Sequence, residues 1–161
     1  MIIFGIDPGI ATTGYGIIEK KGNSHTLLDY GVIITKKETP FSKRLLLLAS
    51  DLATIIKTYN PETIAIEDLF FNNNAKTAMV VAQARGVIML TAEQSNASVF
   101  SYTPLQVKSA VTGHGFADKK QVQYMVRRLL NLQITPRPDD AADALAVAIC
   151  HIHSRKLMSL K

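Results

Sequence analysis

The chain has 161 residues, 47% of them hydrophobic, with a formal charge of +5 and a single cysteine. That apolar content suffices for one compact core. The lone Cys150 excludes an internal disulfide, and no apolar run approaches the ~20 residues that a bilayer span requires. The opening MIIFGID lacks the basic start and small-residue cleavage site of an export signal, so the expectation is a cytoplasmic protein with no membrane association. Residues 1–161 are read as one domain, the final few residues forming a tail. A charge of this size points to an anionic partner only if the basic residues cluster.

In chain order, IIFGID reads as a buried strand ending at Asp7, followed by a Pro8-Gly9 turn. Strands from Gly14 and from Leu27 to Thr35 flank a hairpin turn at Gly22-Asn23. Pro40 opens a helix whose apolar positions Phe41, Leu45, Leu48, Leu52, Ile55, Ile56 and Tyr59 keep helical spacing until Asn60-Pro61 stops it. Thr63 to Glu67 is a β-branched run and reads as a buried parallel strand, which again ends on a carboxylate. The long helix predicted from Ala75 to Gln94 is apolar around most of its circumference, so it needs cover on both sides. A fifth strand follows from Ala97 to Thr103. Pro104 then starts a short helix ending near Gly113-His114-Gly115, and Asp118 caps a helix to about Leu132. After the Pro136-Arg137-Pro138 connector, Asp140 to about Ser154 forms the last helix. This order predicts an α/β fold of ribonuclease H-like type, a five-stranded mixed sheet flanked by helices.

Two strands therefore end in acids, and a late helix begins Asp139-Asp140-Ala141-Ala142-Asp143. Adjacent parallel strand ends lie side by side, so Asp7 and Glu67 can face one spot in the crevice where ligands bind in such sheets. Asp140 and Asp143, three apart on a helix, share a face. Asp7 alone also reads as a turn residue, and Asp139, Asp140 and Asp143 alone read as helix-capping acids. Glu67 closing an apolar strand has no such structural role. Four convergent acids repel unless cations share the site. Hard oxygen donors select Mg²⁺, and two such ions suit in-line phosphodiester displacement.

Five segments, GIDPGIATTGYGII, AIEDLFFNNNAKTA, QARGV, QVKSAVTGHGFADKKQVQ and DDAADALAVAICH, resemble in order the RuvC family of Holliday-junction resolvases. The resemblance implies a homodimeric crossover junction endodeoxyribonuclease that uses Mg²⁺, two ions per active site with Mn²⁺ as a substitute, to nick four-way junction DNA symmetrically. It further implies a branch-migration helicase complex as a partner. By position, the family's metal-binding acids fall on Asp7, Glu67, Asp140 and Asp143. Asp139, four residues from Asp143 where the family spacing is three, is assigned to capping. The family's catalytic lysine matches Lys119, a DNA-contacting lysine matches Lys108, and the aromatic inserted at the junction centre matches Phe70.

The residues carry part of this independently. On the helix after Asp118, Lys120, Tyr124, Arg127 and Arg128 oppose the apolar Val122, Met125, Val126, Leu129 and Leu130, which reads either as a DNA-facing stripe or as an ordinary solvated face. Phe70 and Phe71 are consecutive in an extended segment, so one ring is expected in the core and the other exposed for stacking on an unpaired base. Ala78, Ala82, Arg85, Gly86 and Met89 give one side of the long helix small residues that let another helix approach, which reads either as a face buried within the monomer or, as the resemblance implies, as a pairing surface for a second copy. His25, His151 and His153 are read as non-ligands. Two rival readings are an actin-like or sugar-kinase nucleotide-binding domain, weakened by the length and the absence of a phosphate-binding Gly-Lys-Ser/Thr, and a non-catalytic junction-binding protein, which leaves the acids unexplained.

Overall fold

A computed structural model describes residues 1–68 and 75–158. Five strands, β1 (Ile2–Asp7), β2 (Thr12–Lys21), β3 (Ser24–Ile34), β4 (Thr63–Glu67) and β5 (Ser98–Tyr102), form one sheet in the order β3-β2-β1-β4-β5. β1, β2 and β3 pair antiparallel, whereas β1–β4 and β4–β5 are parallel. The helices are α1 (Phe41–Tyr59), α2 (Ala75–Glu93), α3 (Pro104–Thr112), α4 (Lys119–Leu129) and α5 (Asp139–Met158). The arrangement is the five-stranded mixed sheet expected from the element order. Among the described residues no helix is long and apolar enough to cross a membrane.

Strand alternation sorts the core into two layers. Phe4, Ile6, Ile17, Ile64 and Ile66 face α1 and α2, where they meet Leu48, Leu52, Ala84 and Ile88. Ile3, Ile18 and Ala65 face the opposite way, toward α5, which α3 and α4 cover in turn. α5 is thus a central helix, wholly buried from Ala144 to Cys150. Its run of alanines lets it lie unusually close to the sheet. A Cβ on Gly5 would come within 2.1 Å of the Ala144 carbonyl oxygen, and one on Gly14 within 2.0 Å of the Asp140 carbonyl oxygen. Only hydrogen fits between strand and helix at these two points.

Some boundaries differ from the sequence expectation. β2 and β3 are longer and meet at the expected Gly22-Asn23 turn, with Lys21 opposite Ser24. α4 ends at Leu129 rather than about Leu132, because Leu130 is already its C-cap and Asn131 has a φ of 53°. α5 begins one residue early and runs on to Met158. α2 buries Ala84, Ile88 and Ala92 against the sheet, while Met79, Ala82, Gln83, Gly86 and Leu90 are exposed. The second cover predicted for this helix is not supplied by the described residues of the same chain.

Candidate active site

Asp7 and Glu67 end neighbouring parallel strands, one position beyond the paired Ile6 and Ile66. Both follow the alternation of Ile3 and Gly5 on β1 and of Ala65 on β4, so both carboxyls face α5. The first turn of α5 lies over the same strand ends because Gly14, opposite Asp7 in the β1–β2 ladder, has no side chain to hold it off. Strand-end acids and helix-borne acids thus approach one spot from different elements.

The electrostatics record that convergence. Burial, followed by the charges of Glu67, Asp143 and Asp140, pushes the Asp7 carboxyl up to about 8. Burial and the Asp143 charge raise Glu67 to about 7. The two carboxyls are close enough to act on each other, and one proton shared between them fits both raised values. Asp143 is also raised, first by burial, and is opposed by Lys119, whose Nζ lies 3.1 Å from Asp143 Oδ2. Lys119 in turn is held above the ordinary lysine value: burial works against it, but Asp143 and Asp139 outweigh burial. Glu67, Asp143, Lys119 and Lys108 line a single cavity of about 240 Å³, walled by Val107 and Val122.

Among the described residues no group of three or more His, Cys, Asp or Glu side chains is gathered so as to hold a metal ion. The carboxyls are instead paired off, Asp7 with Glu67 and Asp143 with Lys119. The donor chemistry nevertheless fits a hard divalent cation. Every donor is a carboxylate oxygen, the buried pair carries more negative charge than Lys119 offsets, and Mg²⁺ needs only one or two carboxylates, the rest of its shell being water and phosphate. Two of the histidines have partners of their own: the Tyr102 hydroxyl and His151 Nδ1 are 2.8 Å apart, and His153 Nδ1 is 2.8 Å from the Ala110 carbonyl.

Asp139 does not cap α5. It stands inside the first turn, where its carboxylate takes Arg137 at 2.5 Å and Lys119 at 3.5 Å. Partial desolvation pulls its carboxyl up, but a hydrogen bond from Gln123 and the charges of Lys119 and Arg137 leave it below the usual value. Gln123, buried on α4, gave no sequence signal because it interrupts an apolar face.

The proposed DNA residues divide. Lys108 and Lys119 are at the acid cavity. Lys120 lines a separate cavity of about 380 Å³ with His114, Gln121 and Tyr124, Arg127 stacks 5.7 Å from the Tyr124 ring centroid, and Arg128 is exposed. None of these three lines the acid cavity. Phe70 and Phe71 lie outside the described residues. Arg85, expected on the pairing surface of α2, instead turns back toward the sheet of its own chain and binds Asp68. Sequence reading passed over two exposed lysines, Lys36 and Lys37, just beyond β3. The Thr35 amide donates to the Ala11 carbonyl at 3.1 Å, which sets this pair beside the turn that follows Asp7.

Residues 3–151 match the family described as crossover junction endodeoxyribonuclease RuvC. A protein of that name from Alkaliphilus oremlandii is 56% identical over 154 residues, covering 96% of this chain and 94% of the relative. The Thermus thermophilus RuvC structure superposes with a TM-score of 0.90 at 35% identity, covering 98% of this chain and 97% of that one. The structure of T. thermophilus RuvC in complex with Holliday junction substrate superposes at 0.89 with 32% identity, covering 98% and 96%.

Proposed function

The chain belongs to the RuvC family of crossover junction endodeoxyribonucleases and is a DNA-cleaving hydrolase, and we propose that its acid cavity at the end of β4, with Asp7 on the neighbouring strand end, performs the cut on four-way junction DNA. The single observation that carries the site assignment is the burial of Asp7 and Glu67 at neighbouring strand ends with the Lys119–Asp143 ion pair beside Glu67. The family match over residues 3–151 sets aside a kinase-type nucleotide domain and a non-catalytic junction binder.

In this reading Asp7, Glu67, Asp140 and Asp143 hold divalent cations, Mg²⁺ with Mn²⁺ as a substitute, at two ions per active site. When bound, the cations stabilise the attacking and leaving oxygens of an in-line displacement at phosphorus. Asp7 and Glu67 must surrender their shared proton for this. Lys119 restrains Asp143 by its 3.1 Å contact and offsets charge in the cavity, while Lys108, which also lines it, meets the phosphate backbone. Phe70, in the segment leaving β4, stacks at the junction centre. Lys120, Arg127 and Arg128 contact phosphates farther out. Pairing of two copies through the exposed face of α2 gives two like nicks related by a two-fold axis, in a cytoplasmic protein that works beside a branch-migration helicase complex.

The test is a labelled synthetic four-way junction incubated with purified protein, with Mg²⁺ or with chelator. Asp7→Asn, Glu67→Gln, Asp140→Asn and Asp143→Asn should abolish nicking yet retain junction binding, whereas Asp139→Asn should keep nicking. Full nicking by Glu67→Gln or Asp7→Asn would refute the assignment.

A further inference from the structure

Arg85 is a long side chain that reaches from α2 to the strand ends. Its Nη2 donates to the Asp68 carboxylate and, at 2.8 Å, to Ser101 Oγ on β5. Nε donates to the Glu67 backbone carbonyl at 3.3 Å, and Nη1 lies 3.1 Å from Met89 Sδ. The side chain is only 18% exposed. One planar guanidinium therefore joins α2, the last residue of β4, the first residue beyond it and β5.

These acceptors sit directly behind Glu67. The Asp68 amide donates to the Tyr102 carbonyl at 2.8 Å and carries the β4–β5 ladder one residue past the acid. The backbone on either side of the Glu67 carboxyl is thus fixed by a strand partner and by Arg85. Asp68 also adds a negative charge beside Glu67, which Arg85 neutralises. Lysine cannot reproduce this contact, since it offers a point charge where a rigid fork reaches several acceptors at once.

We propose that Arg85 is a positioning residue for the cutting reaction: from α2 it fixes the backbone at Glu67 and Asp68, and so the place of the Glu67 carboxyl and the direction in which the chain leaves β4. The proposal rests on the reading of Glu67 as an active-site acid. It also makes α2 the backing of the catalytic strand, so that the outward surface of this helix and its inward guanidinium belong to one rigid element.

The experiment compares wild type, Arg85→Lys, Asp68→Asn, their double mutant and Glu67→Gln on a labelled four-way junction under single-turnover conditions. Junction affinity is measured separately in chelator, with melting temperature and sedimentation on every variant. Misplacing a reacting group by ~1 Å costs on the order of 10²-fold, so each single variant should cut ~10²-fold more slowly. Each should need ~10-fold more Mg²⁺ for half-maximal rate, as when a residue supporting a ligand is lost. Junction affinity in chelator should stay within about threefold, and the double mutant should be little worse than either single, as expected of two residues acting as one unit. Wild-type rate and metal dependence in folded Arg85→Lys and Asp68→Asn would overturn the proposal. A rate loss that tracks the unfolded fraction, or that accompanies a change in oligomeric state, would overturn it as well. Full activity of Glu67→Gln would instead fell the assignment of Glu67, whatever Arg85→Lys does.

Discussion

A carboxyl buried without a cation is far less costly neutral than ionised, so it keeps its proton well above the usual pH. Free carboxyls ionise near pH ~4, whereas Asp7 and Glu67 hold on to about 8 and about 7. The folded, metal-free protein therefore binds protons more tightly than the unfolded chain. Stability from this source is complete below the unfolded value and is lost as pH rises through the folded ones. Metal-free protein should melt several degrees lower at pH 9 than at pH 6, and Asp7→Asn should remove most of that difference. Metal binding near pH 7 should release about one proton, because the donors must be deprotonated. Calorimetry in buffers of different ionisation enthalpy measures this directly, and a buffer-independent heat would contradict the shared proton.

At the scale of elements, the site depends on how closely α5 approaches β1 and β2. Gly14→Ala would place a methyl 2.0 Å from the Asp140 carbonyl oxygen, and backbone cannot yield there without lifting the first turn of the helix. The expected outcome is a loss of roughly 1–3 kcal/mol, the usual range for overpacking, with cutting reduced far more than junction binding. A Cβ at Gly86 meets nothing within 4 Å, so Gly86→Ala is the matched control and should keep both stability and cutting. Urea melts and single-turnover rates read the two. Much of this element level was legible in the residues. β4 matches its predicted limits because Pro61 and the terminal glutamate bound it clearly, and α1 ends where Asn60 takes a left-handed conformation. The overrun of α5 was not legible, since alanines and histidines carry no stop signal. The role of Arg85 was hidden for a different reason. Helical spacing gives the face from which a side chain leaves, but not how far a flexible arginine bends back toward β4 and β5.

For the whole molecule, two surfaces remain for partners. The outward face of α2 is open around Gly86 and exposes Met79 and Leu90. If two copies meet there, Gly86→Arg should convert a dimer to a monomer in sedimentation and abolish paired nicking, while single nicks persist weakly. An unchanged dimer would move the interface elsewhere. Lys36 and Lys37 are exposed just beyond β3, where the Thr35–Ala11 hydrogen bond sets them beside the turn that follows Asp7. Each phosphate contact removed lowers the slope of log affinity against log salt by about 0.9. Lys36→Glu with Lys37→Glu should flatten that slope by roughly 2 per protomer, and an unaltered salt dependence would place the DNA away from this pair.

The order in which the acids occur along the chain has a consequence for biosynthesis. Asp7 and Glu67 belong to strands made early, yet the helix that completes their constellation also supplies most of one core layer and is the last element to be synthesised. At roughly 5–20 residues per second, the ribosome has every strand in hand several seconds before α5 emerges. Until that helix docks, the sheet has one bare apolar face and the carboxyl pair has no partners above it. In the proposed reading a chain ending upstream of α5 should neither cut DNA nor fold stably, since it lacks Asp140, Asp143 and most of one core layer, and in vitro translation of residues 1–138 with a nicking assay checks this.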